Sequence, residues 1–124
     1  TSRVRPVAEV SGQGVEYYTD ERCHILEFLN TPAAPDASIA RARVEPGVTT
    51  KQHRVKATVE RYVIISGQGT AYVEGLEPEP VAAGDVVVIP AGAAQAIANT
   101  GDGDLVFMCV CTPRFEWDNY QSLE

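Results

Sequence analysis

Short strand-like runs separated by glycine and proline turns recur along this chain, and no stretch shows a helical period of useful length. Turn residues recur at Pro46-Gly47, Gly67-Gln68-Gly69, Pro78 to Pro80, Gly84-Asp85, Pro90-Ala91-Gly92 and Gly101-Asp102-Gly103, and Pro113 follows. Between them lie short runs rich in valine, isoleucine and threonine, the residue types suited to a pleated, half-buried strand. The pattern predicts strands over 22–29, 38–44, 49–55, 59–65, 70–74, 81–83, 86–89, 94–98 and 105–111. An edge strand carrying Val4, Val7 and Val10 comes before them. About ten short strands at this spacing mean an all-β sandwich or barrel.

Two of these runs alternate clearly enough to assign faces. In 22–29, Cys23, Ile25 and Glu27 share one side, and His24, Leu26 and Phe28 the other. In 38–44, Ala40, Ala42 and Val44 oppose Ile39, Arg41 and Arg43. The tail, RFEWDNYQSLE, is polar and aromatic, and one helical turn there would cover the barrel or meet a partner.

Bulk properties narrow the function classes. The 124 residues suit a single domain spanning 1–124. The composition, 44% hydrophobic and 22% charged, is that of an ordinary globular protein. No apolar run approaches the roughly 18–20 residues that span a bilayer, so no membrane partner is expected. The opening TSRVRPVAEVSGQG has no apolar signal core, which makes the cytoplasm the default location. A net charge of −7 argues against nucleic acid, whose phosphates call for a basic face. Three cysteines do not make a disulfide framework. Cys109 and Cys111 share one strand face and read as small buried hydrophobes, with a thiolate ligand or redox pair as the alternative.

Chemistry concentrates in two stretches, 47–67 (GVTTKQHRVKATVERYVIISG) and 84–99 (GDVVVIPAGAAQAIAN). Each sets polar side chains among apolar neighbours: His53 and Glu60 in the first, Gln95 in the second. All three can bind a metal or a substrate. Gly47, His53, Glu60 and Gly67 fall at the spacing G-x5-H-x-H-x3,4-E-x6-G, with Val55 in place of the second histidine. Gly84, Pro90, Gly92 and Asn99 fall at G-x5-P-x-G-x2-H-x3-N, with Gln95 in place of histidine. On these motifs the chain resembles the cupin superfamily, a double-stranded β-helix or jelly-roll barrel. SIARARVEPG, ERYVIISGQG, GDVVVIPAG and LVFMCVCTPRF look like segments of small single-domain bacterial cupins.

The resemblance implies a pocket inside the barrel for a small polar molecule, such as a carboxylate or sugar derivative. It also implies a homodimer and a divalent metal (manganese, iron, nickel or zinc) held by His53, Glu60 and Gln95. One imidazole, one carboxylate and one amide form a weaker donor set than two histidines with a carboxylate. The alternative is metal-free chemistry, with His53 as general base and Tyr62, two residues from Glu60 on the same inward face, as acid or hydrogen-bond donor. Arg41 and Arg43 can pair with Glu60 or grip a carboxylate substrate alongside Gln95. Plainer structural readings stand beside these. His53, Glu60 and Gln95 can satisfy one another by hydrogen bonds, Tyr62 can be core, and the arginines can be outward surface charges. Phe115, Trp117 and Tyr120 read as a cap or interface. The overall reading is an oxidoreductase- or isomerase-type enzyme, with a non-catalytic small-molecule sensor as the alternative.

Overall fold

The fold comes from a computed structural model that describes residues 8, 10–12 and 14–124. Its strands are β1 (Tyr17–Tyr18), β2 (His24–Leu29), β3 (Ser38–Val44), β4 (His53–Val55), β5 (Val59–Ser66) and β6 (Gln68–Val73). They continue as β7 (Glu79–Ala82), β8 (Val86–Ile89), β9 (Gln95–Asn99), β10 (Leu105–Thr112) and β11 (Tyr120–Ser122), with a 3₁₀ turn at Trp117–Asn119. One sheet runs β1-β2-β3-β10-β5-β8 and the other β11-β4-β9-β6-β7. Every pairing is antiparallel, and the two sheets close on each other as a jelly roll.

Alternation does what the sequence predicts. Along β5, Glu60, Tyr62 and Ile64 are buried between less buried neighbours, and β3 buries Ala42 and Val44. Ile64, Ile89, Ile97, Leu105 and Val44 are almost wholly excluded from solvent and form the inter-sheet core. Each such aliphatic side chain stabilises the fold by about 1.5–3 kcal/mol.

Two motif residues outside the polar trio, Gly67 and Asn99, have structural roles. Gly67 turns β5 into β6 at φ +90°, and a Cβ there would come within 2.5 Å of the Asp104 carbonyl. Only glycine accepts both conditions. Asn99 is buried, donating from Nδ2 to the carbonyls of Val44 and Gly103 (2.8 Å each) and accepting the Gly101 N–H at Oδ1 (2.9 Å). It bolts the β9–β10 loop to the end of β3.

Two expectations change at the polar end of the barrel. The strand over 49–55 is regular only from His53. Upstream, Thr50 Oγ1 takes the Ile97 N–H while the Thr50 N–H bonds to the Ile97 carbonyl, so a side chain replaces a backbone acceptor and the ladder is broken. The tail carries the expected helical turn and also an unforeseen strand, β11, paired with β4 through Tyr120↔Val55. Val4 and Val7 of the expected first strand lie outside the described residues, and Val10 is not in a strand.

Candidate active site

A cavity of about 80 Å³ opens between the sheets at this end. Its walls include His53, Glu60, Tyr62, Cys109 and Glu21, with Phe115, Trp117 and Tyr120 at the tail side. Cys23, Ile25, Glu27, Ala40 and Ala42 also line it, together with Ile39.

His53 sits on β4, directly across from Gln95 on β9. Its Nδ1 lies 2.8 Å from the Lys51 carbonyl, which can only accept, so Nδ1 carries a proton. Nε2 is thereby left to accept, and it faces Glu21 Oε2 at 3.3 Å. The imidazole also stacks on Tyr120, with ring centroids 5.1 Å apart and planes at 25°.

Glu21 is the residue that sequence reasoning missed. It belongs to the turn entering β2, where the Glu21 N–H reaches Thr19 Oγ1 (3.3 Å) and its carbonyl accepts from the Lys51 N–H (3.0 Å). Burial pushes its carboxyl up to about 7. No motif marks it. The only sign in the sequence is an acidic turn immediately before a strand whose Cys23-Ile25-Glu27 face points inward.

Glu60, Gln95 and Tyr62 form a second network that ties the two sheets together. Gln95 Nε2 donates to Glu60 Oε1, and the Tyr62 hydroxyl donates to Gln95 Oε1. Burial raises the Glu60 carboxyl above the ordinary range, opposed by hydrogen bonds from Cys109 and Gln95. Burial, reinforced by the nearby Glu60 charge, raises the Tyr62 phenol well above its usual value. Tyr62 is therefore protonated near neutral pH, with its hydroxyl directed at Gln95. Its ring packs on Phe107, with centroids 4.4 Å apart.

Arg41 and Arg43 are placed differently from the substrate-gripping role. They project from β3 on the face opposite Ala40 and Ala42. There Arg43 Nη2 meets Glu16 Oε1 at 2.7 Å, Arg43 Nη1 meets Asp104 Oδ2 at 3.1 Å, and Arg41 Nη2 meets Glu16 Oε2 at 3.4 Å. The two-residue period of the strand decides this, since inward alanines force outward arginines. Among the described residues, no lysine or arginine lines the cavity. The tail aromatics Phe115, Trp117 and Tyr120, expected as a cap or interface, form part of the cavity wall.

A family model for the cupin domain matches residues 40–111, more than half of the chain. The chain belongs to the cupin family. The oxalate-binding protein of Thermotoga maritima is 35% identical to this cupin over 71 residues, which span 57% of this chain and 58% of that relative. A solved structure described as a predicted oxalate decarboxylase, also from Thermotoga maritima, superposes with a TM-score of 0.74 at 25% identity, covering 86% of this chain and 99% of the other. Streptomyces Pac13, a nucleoside dehydratase, superposes with a TM-score of 0.77 at 17% identity over 96% and 92% of the two chains. At that identity the likeness concerns the barrel alone.

The metal that the family resemblance implies meets an unsuitable donor set at the motif positions. Val55 offers no ligand atom. Gln95 turns its amide N–H toward Glu60 and commits its carbonyl oxygen to Tyr62, so it presents no lone pair beside the carboxylate. His53 directs Nε2 at Glu21. The ligand atoms that do converge belong to Glu60, Cys109 and Cys111, all within 4.8 Å of one another.

Proposed function

We propose that this cupin is an acid–base enzyme of the isomerase type, acting on a small uncharged, hydroxylated molecule inside the barrel. The observation that carries this is the His53–Glu21 pair. The imidazole tautomer is fixed by a backbone carbonyl, its free nitrogen lies 3.3 Å from a carboxyl, and that carboxyl titrates at about 7. A carboxyl poised near working pH beside an imidazole held in one tautomer is what proton abstraction and return require. Glu21 would hold the proton that His53 gives up or reclaims, while the Lys51 carbonyl keeps the ring from flipping.

The lining argues for an uncharged substrate. Among the described residues no lysine or arginine lines the cavity, so a dicarboxylate such as oxalate would be desolvated there without a counter-charge. Tyr120 and Trp117 instead supply ring faces on which a sugar or heterocycle can stack. The Streptomyces neighbour has been solved with uridine, an uncharged molecule, which accords with this use of the barrel.

The test pairs binding with proton exchange. Thermal stabilisation should be screened at pH 7 with uncharged sugars and nucleosides against oxalate and related dicarboxylates. Compounds that bind should then be incubated with the protein in D2O and followed by proton NMR. Uncharged compounds should stabilise the protein and exchange a carbon-bound proton, and His53→Gln should abolish the exchange while leaving binding in place. Stabilisation by dicarboxylates alone would refute the substrate class. Binding with no exchange at any carbon would leave the sensor role instead.

A further inference from the structure

The wall of the cavity formed by β5 and β10 holds a cluster that the His53–Glu21 chemistry does not use. Cys109 and Cys111 alternate inward on β10, and β10 pairs with β5 so that Cys111 lies across from Glu60 and Cys109 across from Tyr62. The two sulfurs are 3.8 Å apart, and Cys109 Sγ is 3.3 Å from Glu60 Oε2. Glu60 thus spends one carboxylate oxygen on Gln95 and turns the other toward the thiols.

We propose that Glu60, Cys109 and Cys111 form a binding site for a thiophilic divalent cation, zinc by its chemistry, at a place displaced from the motif histidine positions. Tetrahedral zinc with Zn–S near 2.3 Å and Zn–O near 2.0 Å sets its ligand atoms about 3.8 Å apart for S···S and about 3.5 Å for S···O. The metal-free chain already holds these pairs at 3.8 and 3.3 Å. Two thiolates with one carboxylate suit zinc better than the harder ions that oxygen-rich sites select. Glu60, Cys109 and Cys111 all line the cavity, so the fourth position would face a space that water or a ligand can reach. Binding would release both thiol protons to solvent, with no change in oxidation state.

Cobalt(II) titration of the full chain, reduced and freed of metal by chelation, tests this independently of any enzymatic activity. One equivalent should produce thiolate-to-cobalt charge-transfer absorption that zinc displaces. Cys109→Ser and Cys111→Ser should each lose that band, whereas Cys23→Ser and His53→Gln should keep it. Absence of the band in the unaltered protein would overturn the proposal. So would its persistence in the Cys109→Ser/Cys111→Ser double variant, or its loss in His53→Gln. Should the serine variants fail to fold, the ¹¹³Cd NMR shift of the cadmium-loaded unaltered protein decides. A shift typical of two sulfur ligands supports the site, and one typical of oxygen and nitrogen alone refutes it.

Discussion

Replacing Glu21 with glutamine should change how the stability of this chain depends on pH, in a direction set by burial. The carboxyl moves from 4.5 when unfolded to about 7 when folded, and only 16% of the side chain is exposed. Below pH 4.5 both states hold the proton, and above pH 7 both have lost it. In between, the folded state binds the proton that the unfolded state releases, so stability falls as pH rises through this window. At about 1.4 kcal/mol per pH unit, a shift of this size is worth roughly 3 kcal/mol. The introduced glutamine would mimic the protonated carboxyl, because its amide N–H can still donate to His53 Nε2. The variant should match the parent near pH 4.5 and exceed it by up to about 3 kcal/mol at pH 8. Urea unfolding of both proteins at half-unit steps from pH 4.5 to 8 measures the difference, and comparing the two cancels the like-signed slope from Glu60. A difference that stays constant across the window would show that Glu21 titrates normally, and the proposed proton pair would fall with it.

Three further outcomes follow from the site and its surroundings. Tyr62→Phe leaves the buried Gln95 carbonyl without its donor and should cost about 1–3 kcal/mol in urea unfolding, with β-sheet circular dichroism unchanged. A neutral result would mean that another group satisfies Gln95. Arg41→Ala and Arg43→Ala remove outward ion pairs with Glu16 and should leave the affinity for any cavity ligand as it was, measured by calorimetry. Loss of binding would return the arginines to the site. For the homodimer, we propose that copies meet through the outer side of β5 and β8, where Ile65, Val86 and Val88 are half-exposed. Val88→Lys should then convert a dimer to a monomer in light scattering, and a parent protein that is already monomeric at micromolar concentration would refute the pairing.

Much of this was legible because it depends on spacing. The period of two set Cys23 with Ile25 and Glu27, Ala42 with Ala40 and Val44, and Tyr62 with Glu60 on shared faces, and the glycines and prolines set where the chain turns. The motif spacing brought His53 opposite Gln95, since residues at matched positions on paired strands must face each other. Strand bounds were less legible near Thr50, where a side-chain oxygen replaces a backbone acceptor and no pattern announces it. Arg41 and Arg43 left two roles open because alternation separates two faces without saying which one is wet. Pairing of β3 with β10 and β2 resolved this by packing the alanines against the cavity.

Sequence alone therefore determined the all-β class, the family motifs and which residues share a face of a strand, all consequences of local periodicity and turn chemistry. Tertiary structure decided which inward groups meet. Glu21 reaches His53 from a turn far upstream in the chain, Tyr62 and Glu60 clamp Gln95 from the opposite sheet, and Cys109 and Cys111 close on Glu60. These contacts arise from the stacking of two sheets and from how a turn and a tail fold over their open end. Such distances depend on the whole chain at once, and no window of residues carries them.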